Sequence, residues 1–191
     1  MNYNVMEIPD GKSGPWEVST FEVSEADIAI SNIRALFKPG GRTMKAGKYK
    51  SLTRNGSIIM SNTPAEIRDY RHFIRWAKGN VLINGLGLGC VLADILNKPE
   101  VNKVEVVEIS DEVIKIVGSY FNVDPRLTIY HADAYQFQPT KGSHYDAAWH
   151  DIWDNICGDN LEGMAKLHRK YGRRADYQDS WCKELCRRYN R

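Results

Sequence analysis

The chain has 191 residues, of which 42% are hydrophobic and 26% are charged, and its formal net charge at pH 7 is +2. This length suits one compact domain with an apolar core, and the nearly balanced charge excludes a polyelectrolyte. No apolar run approaches the roughly 18–20 residues of a membrane-spanning helix, and the N-terminus lacks a signal-peptide pattern. We therefore expect a cytoplasmic protein with no membrane partner.

The four cysteines do not predict a disulfide framework or a metal site. Cys90, Cys157, Cys182 and Cys186 form no C-x-x-C pair, and His168 is the only histidine near the last three. A zinc site needs four ligands, so we expect no metal and reduced thiols.

The N-terminal region predicts a strand, a helix and a loop. Residues 16–23 alternate in the manner of a strand, and Ser24 with Asp27 resembles a capping box at a helix start. Pro39 ends that helix, and residues 38–50, rich in glycine and lysine, are typical of a loop.

A hairpin and a second helix follow. Asn55 and Gly56 lie between β-prone flanks over residues 52–60, which favours a type I′ turn because both residue types accept positive φ. Thr63 before Pro64 then predicts a helix start, and this helix should run to about Lys78.

From residue 80 the pattern alternates between strand and helix, which predicts a parallel sheet with right-handed crossovers. The predicted strands are residues 81–84, 104–108, 127–131 and 145–150, and the predicted intervening helices are 88–97 and 110–121. The remainder reads as helical over 156–170 and 174–189, which would leave the fourth strand at a sheet edge.

We therefore predict an α/β, Rossmann-like fold with a shortened, mostly parallel sheet, an N-terminal β-hairpin and C-terminal helices. One compact domain should contain an N-terminal region (1–63), a cofactor-binding core (64–155) and a helical segment (156–191). An exposed edge strand needs cover, so we expect the C-terminal helices or a homodimer to provide it.

Candidate binding residues follow each predicted strand, where ligands of open α/β sheets bind. Gly85, Gly87 and Gly89 follow the first strand and allow a ligand to approach bare backbone. At the second strand end, Glu108 can accept both hydroxyls of a ribose. Two dipeptides close the other strands, Asp133-Ala134 and His150-Asp151.

This order of residues predicts an adenosyl-type ligand, with Asp133 at the adenine amine and Asp151 over the reactive end. A nicotinamide dinucleotide fingerprint would need glycine or alanine where Cys90 stands. Purely structural alternatives stay open for these residues. The three glycines can merely form a close strand–helix turn, and Glu108 can be an exposed strand end. Asp133 and Asp151 can cap the following turns, and His150 can be a structural histidine.

Residues 80–151 resemble the class I S-adenosylmethionine-dependent methyltransferases, and residues 47–155 are similar to their spermidine synthase (aminopropyltransferase) branch. The resemblance lies in the hairpin at 52–60, the strand and helix at 106–114, and the Y-D-x-x-x-x-D-x-x-D segment from Tyr145 to Asp154. It implies that Gly85, Gly87, Gly89, Glu108, Ile109, Asp133 and Ala134 bind S-adenosylmethionine or its decarboxylated form. By the same resemblance, Asp151, with His150, is catalytic, and Trp153 and Asp154 contact the acceptor.

The chain departs from the family at several positions. Leu88 stands where the branch carries an acid in its glycine loop, Ile83 where methyltransferases carry one before the first glycine, and Asn155 where the synthases have proline. The helical pattern after Asp151 also suggests that the later strands of the family are absent, as in a C-terminally truncated relative.

The resemblance implies methyl transfer to a small-molecule acceptor. Three alternatives stay open: aminopropyl transfer from decarboxylated S-adenosylmethionine, cleavage of S-adenosylmethionine, and binding without catalysis.

The C-terminal segment is basic. Residues 161–191 contain nine Lys/Arg and four Asp/Glu. This excess is typical of a solvated helix face, with a patch for a phosphate-bearing partner as the alternative. We do not expect a nucleic-acid partner, because the motifs of base methylation are missing.

Overall fold

The structure, a computed structural model, describes residues 2–26, 28 and 44–189. The helix predicted to begin at Ser24 lies largely outside the described residues, as does most of the predicted 38–50 loop. Within the described residues, the chain opens with a short 3₁₀ helix, Val5–Glu7.

Four antiparallel strands form an N-terminal sheet in the order β1-β2-β3-β4. They are β1 (Gly11–Ser13), β2 (Trp16–Val23), β3 (Gly47–Arg54) and β4 (Ser57–Ser61). Asn55 and Gly56 join β3 to β4 with φ of 50° and 78°, which confirms the predicted turn with two positive-φ residues.

The second sheet has five parallel strands in the order β7-β6-β5-β8-β9. They are β5 (Gly79–Asn84), β6 (Val101–Glu108), β7 (Leu127–His131), β8 (Tyr145–His150) and β9 (Ala175–Ser180). The strand order reverses between β5 and β8, as in doubly wound nucleotide-binding folds. The predicted Rossmann-like α/β class is therefore confirmed.

Helices connect and cover the parallel strands. We label them α1 (Pro64–Trp76), α2 (Cys90–Leu96), α3 (Asp111–Val113 and Ser119–Phe121 with the π-helical segment Ile114–Gly118 between them), α4 (Asn160–Tyr171) and α5 (Lys183–Tyr189). The predicted start of α1 after Thr63 is confirmed. Among the described residues, no helix combines the length and apolar character needed to cross a membrane.

β9 corrects the prediction for the C-terminal region, where a continuous helix over 174–189 was expected. Ala175–Ser180 pairs in parallel with β8, so β8 is not an edge strand and a homodimer is not needed to cover it. The strand was missed because its sequence is mostly polar and half-exposed. Its one large ring, Tyr177, stacks on Phe73 of α1 with 6.1 Å between ring centroids.

The core on one face of the parallel sheet joins this sheet to α1. Phe73 is fully buried and lies 5.1 Å, centroid to centroid, from Trp149 of β8. The central strand β5 contributes Val81 and Ile83 to the same core. Burial of such large side chains is the main source of stability, and it fixes the strand ends that carry the site.

Candidate functional site

A cavity of about 350 Å³ lies at the carboxyl ends of the parallel strands. The β3–β4 hairpin forms one wall of this cavity with four side chains: Leu52, Arg54, Ile59 and Met60. Nine of the predicted site residues line the cavity: Gly85, Gly87, Glu108, Ile109, Asp133, Ala134, Asp151, Trp153 and Asp154. Its volume lies within the usual range for small-molecule sites, about 300–1,000 Å³.

The glycine turn after β5 has backbone conformations that other residue types rarely adopt. Gly85, Gly87 and Gly89 have φ of 95°, 51° and 77°, in the region that favours glycine. A Cβ on Gly87 would lie 2.8 Å from the Met60 sulfur. Gly89 does not line the cavity; a Cβ there would lie 2.6 Å from the Phe121 ring, so this glycine lets α2 pack against α3.

Glu108 is buried at the end of β6, and two backbone N–H groups fix its carboxylate. Oε2 accepts a hydrogen bond from Leu86 N–H at 2.8 Å, and Oε1 accepts one from Ser110 N–H at 2.9 Å. Each carboxylate oxygen has a further lone pair, so the group remains able to accept from a ligand in the cavity. The sequence spacing predicted this residue, and its environment suits a pair of hydroxyl donors.

Asp133 follows β7 and combines two roles. Its Oδ1 accepts from the Tyr135 N–H at 2.8 Å and its Oδ2 from Gln136 Nε2 at 3.1 Å, so it caps the local turn. It also lines the cavity beside the buried Ala134. Lys170 of α4 holds this segment by donating to the carbonyl oxygens of Ala134 and Tyr135.

Asp151 directly follows β8, near three other acidic side chains. Removal from water, with smaller contributions from Glu66, Asp69 and Glu108, raises the pKa of Asp151 to about 8. The carboxyl is therefore largely protonated at pH 7 and changes charge just above it. Carboxyl groups shifted in this way are typical of functional sites.

His150 lies outside the lining of the cavity. Its side chain is fully buried and joins Asn84 through Nδ1 at 2.8 Å and Gln178 through Nε2 at 3.2 Å. Burial lowers the pKa of His150 to about 3, which keeps the ring neutral. These contacts agree with the structural alternative, and the structure does not bring His150 together with Asp151 at the cavity.

Two further charged residues line the cavity that the sequence did not mark as site residues. Glu66 of α1 accepts from the backbone N–H and the hydroxyl of Ser61, both at 2.9 Å. Arg54 of β3 forms an ion pair with Asp154, and its guanidinium lies 5.2 Å from the centre of the Trp16 ring. The only sequence signal for them was their place in the predicted hairpin and in the following helix.

Comparison with known proteins finds no family model that matches the chain. Putrescine N-methyltransferase 2 of Nicotiana attenuata is 34% identical over 83 residues, which are 40% of this chain and 22% of the relative. A polyamine aminopropyltransferase of Prochlorococcus marinus (strain MIT 9312) is 35% identical over 101 residues, 49% of this chain and 36% of the relative. The chain thus spans about a fifth to a third of the length of these relatives.

Among solved structures, spermidine synthase from Thermotoga maritima matches 84% of this chain and 52% of its own, with a TM-score of 0.45 and 18% identity. The N-methyltransferase NodS from Bradyrhizobium japonicum WM9 matches 66% of this chain and 74% of its own, with a TM-score of 0.48 and 13% identity. The curated matches confirm the predicted resemblance: this chain is similar to class I S-adenosylmethionine-dependent methyltransferases of the spermidine synthase-like branch.

Proposed function

We propose that the protein binds S-adenosylmethionine and transfers its methyl group to an amine nitrogen of a small acceptor. The observation that carries this proposal is the Glu108 carboxylate, held by two backbone N–H groups beside the glycine turn and facing the same cavity as Asp133 and Asp151. The partial similarity to putrescine N-methyltransferases supports an amine acceptor.

The residues of the cavity fit such a ligand. Glu108 accepts the ribose hydroxyls, Gly85 and Gly87 leave room along the backbone, and Asp133 and Ala134 border the adenine. The apolar Ile109 lies at the same rim. When bound, the sulfonium ligand supplies an electrophilic carbon and a good leaving group, so the protein mainly provides alignment.

Asp151 is the proton acceptor in this proposal. An ammonium acceptor gives a proton to the ionised form of Asp151, whose population grows as the pH approaches 8. The free amine nitrogen then forms the bond to carbon while the carbon–sulfur bond breaks and its electron pair stays on sulfur. A base whose pKa is about 8 is suited to this step near neutral pH. Trp153 and Asp154 line the acceptor side of the cavity.

Glu66 holds the ammonium of the ligand's amino-acid arm. Leu88 and Ile83 are apolar and buried, so neither supplies a carboxylate at the glycine turn. Glu66 lines the cavity, and its charge helps to raise the pKa of Cys90 and of Asp151, which lie on either side of that turn. An ionised carboxylate beside the arm stabilises a positive charge.

Aminopropyl transfer is the second candidate, favoured by the similarity to a polyamine aminopropyltransferase. Calorimetry of the full chain with S-adenosylmethionine, its decarboxylated form and methylthioadenosine tests the shared binding step. Incubation with putrescine and mass analysis of the product then separates a methylated from an aminopropylated amine. Failure to bind any of the three ligands contradicts both candidates.

A further inference from the structure

A second cavity lies between α4 and α5, away from the candidate transfer site. It has a volume of about 410 Å³, and no residue of its lining belongs to the first cavity. Three apolar residues of α4 form one part of the wall: Leu161, Met164 and Ala165. Four basic residues form the rest: His168 and Arg169 of α4, and Lys183 and Arg187 of α5.

The basic side chains converge on this space without an acidic one among them. Within the described part of the chain, the cavity lining contains no Asp or Glu. Arg187 pairs with Glu184 of its own helix, on the exposed surface. No carboxylate among the described residues forms a salt bridge with Lys183 or Arg169. Like charges gathered in this way repel one another, and a bound anion relieves that repulsion.

The pKa of His168 is sensitive to the basic side chains that surround it. Its Nε2 is occupied by the Ser180 hydroxyl at 2.9 Å. Burial, followed by the positive charges of Lys183 and Arg187, lowers the pKa of His168, and Asp179 only partly offsets this. His168 therefore lines the cavity as a neutral ring. The permanently charged groups of the lining are Arg169, Lys183 and Arg187.

We propose that this cavity binds the phosphate group of a small organic phosphate, with the apolar body of the ligand against Leu161, Met164 and Ala165. Lys183 and Arg187 provide charge-assisted hydrogen bonds, and Arg169 adds a guanidinium that matches phosphate geometry. The apolar wall favours an organic phosphate over the inorganic ion. This site is independent of the proposed transfer reaction, so its test needs neither cofactor nor acceptor.

Calorimetry with the full chain tests the site with phenyl phosphate, phenol and inorganic phosphate as probes. We expect phenyl phosphate to bind most tightly, inorganic phosphate more weakly, and phenol not at all. The double variant Lys183→Gln/Arg187→Gln should weaken phenyl phosphate binding at least tenfold. Lys166→Gln is the matched control, because Lys166 lies on α4 outside the lining and pairs with Glu162; it should bind as the wild type does.

Two results would overturn the proposal. One is phenyl phosphate binding that is absent or that the double variant and the control reduce equally. The other is tighter binding of a short oligothymidylate than of phenyl phosphate through the same two side chains, because that result would assign the surface to nucleic acid. Circular dichroism of each variant verifies that a lost signal is not a lost fold.

Discussion

Gly85 and Asp151 approach so closely that a Cβ on Gly85 would stand 1.8 Å from the Asp151 carbonyl oxygen. The contact is between backbones, so no side-chain rotation can relieve it. It joins the glycine turn after β5 to the segment that carries the proposed proton acceptor. The two strand ends therefore form one rigid unit, and their relative position is fixed before any ligand binds.

Gly85→Ala should break this unit. Positive φ and overpacking together predict a loss of about 3 kcal/mol in the free energy of unfolding and loss of S-adenosylmethionine binding. Gly142→Ala is the matched control, because Gly142 has φ of 87° and nothing within 4 Å of its Cβ position; it should cost about 1 kcal/mol and leave binding intact. Urea unfolding and calorimetry measure both. Equal effects of the two substitutions would contradict the close contact.

Glu108→Gln should weaken the binding of S-adenosylmethionine and of methylthioadenosine by about 10–100-fold, the range for lost hydrogen bonds to a charged group. In the variant, the amide NH₂ also faces the backbone N–H of Leu86 or of Ser110, and two donors cannot form a hydrogen bond. Glu105→Gln is the control, since Glu105 is a buried acid of the same strand that lies outside the cavity. Calorimetry that shows similar losses for both variants would refute the ribose role.

Glu66→Gln should weaken S-adenosylmethionine binding at least tenfold and leave methylthioadenosine unaffected, because only the former carries an ammonium group. Asp69→Asn makes the same charge change on α1 at a residue outside the cavity lining and should alter neither affinity. If Glu66→Gln weakens the binding of both ligands equally, its effect is structural. Glu66 is then not the residue that holds the ammonium of the amino-acid arm. Failure of the wild type to bind either ligand would instead reject the proposed function.

Asp151→Asn should change the dependence of stability on pH. The pKa of Asp151 is raised from 3.8 to about 8 by folding, so the native state binds more protons than the unfolded state between those values. Stability of the wild type is therefore lost as the pH rises through this window. The variant should gain stability relative to the wild type from pH 5 to pH 8 in urea unfolding. A constant difference would contradict the shift.

The same substitution should lower the rate of amine methylation by about 100-fold or more, the usual contribution of a positioned base. The wild type should show an inflection near pH 8 in the pH profile of kcat/KM, and the variant should lack it. The control is calorimetry with S-adenosylmethionine, whose binding should change little. Retention of the inflection in Asp151→Asn would assign the proton transfer to another group.

Arg54 and Asp154 should have opposite effects on a cationic acceptor. Both side chains are partly exposed, so each substitution should change the free energy of unfolding by less than about 1 kcal/mol. Arg54→Ala frees the Asp154 carboxylate and removes a positive charge that repels a cationic diamine. The KM for a diamine should therefore fall several-fold in this variant, whereas Asp154→Asn should raise that KM. Steady-state kinetics at low salt measures both. A change of KM in the same direction for both variants would exclude an electrostatic role.

The sequence predicted β5, β6 and β8 well because their apolar runs are largely buried. It also predicted β7, although that strand is half-exposed at the edge of the sheet. β9 escaped because Asp176, Gln178 and Ser180 give it a polar pattern, and its place in the sheet depends on β8 and on Tyr177 packing against α1. The place of Glu108 and Asp133 in the cavity was predictable because Glu108 ends β6 and Asp133 comes just after β7, so local pattern and topology agree.

The rest of the site depends on tertiary packing that no local pattern encodes. Met60 reaches Gly87 and Arg54 reaches Asp154 only because the N-terminal sheet docks on the carboxyl ends of the parallel strands. His150 shows the reverse case. Its position at a strand end suggested catalysis, but the residue is buried between Asn84 and Gln178.

The β3–β4 hairpin forms one wall of a pocket whose other lining comes mainly from the ends of the parallel strands. In the proposed function, Glu108 and Asp133 hold the nucleoside of the donor, whereas the hairpin faces the recipient together with Trp153 and Asp154. Exchange of the hairpin is therefore a route by which evolution or an engineer can redirect the transferred group toward a new recipient.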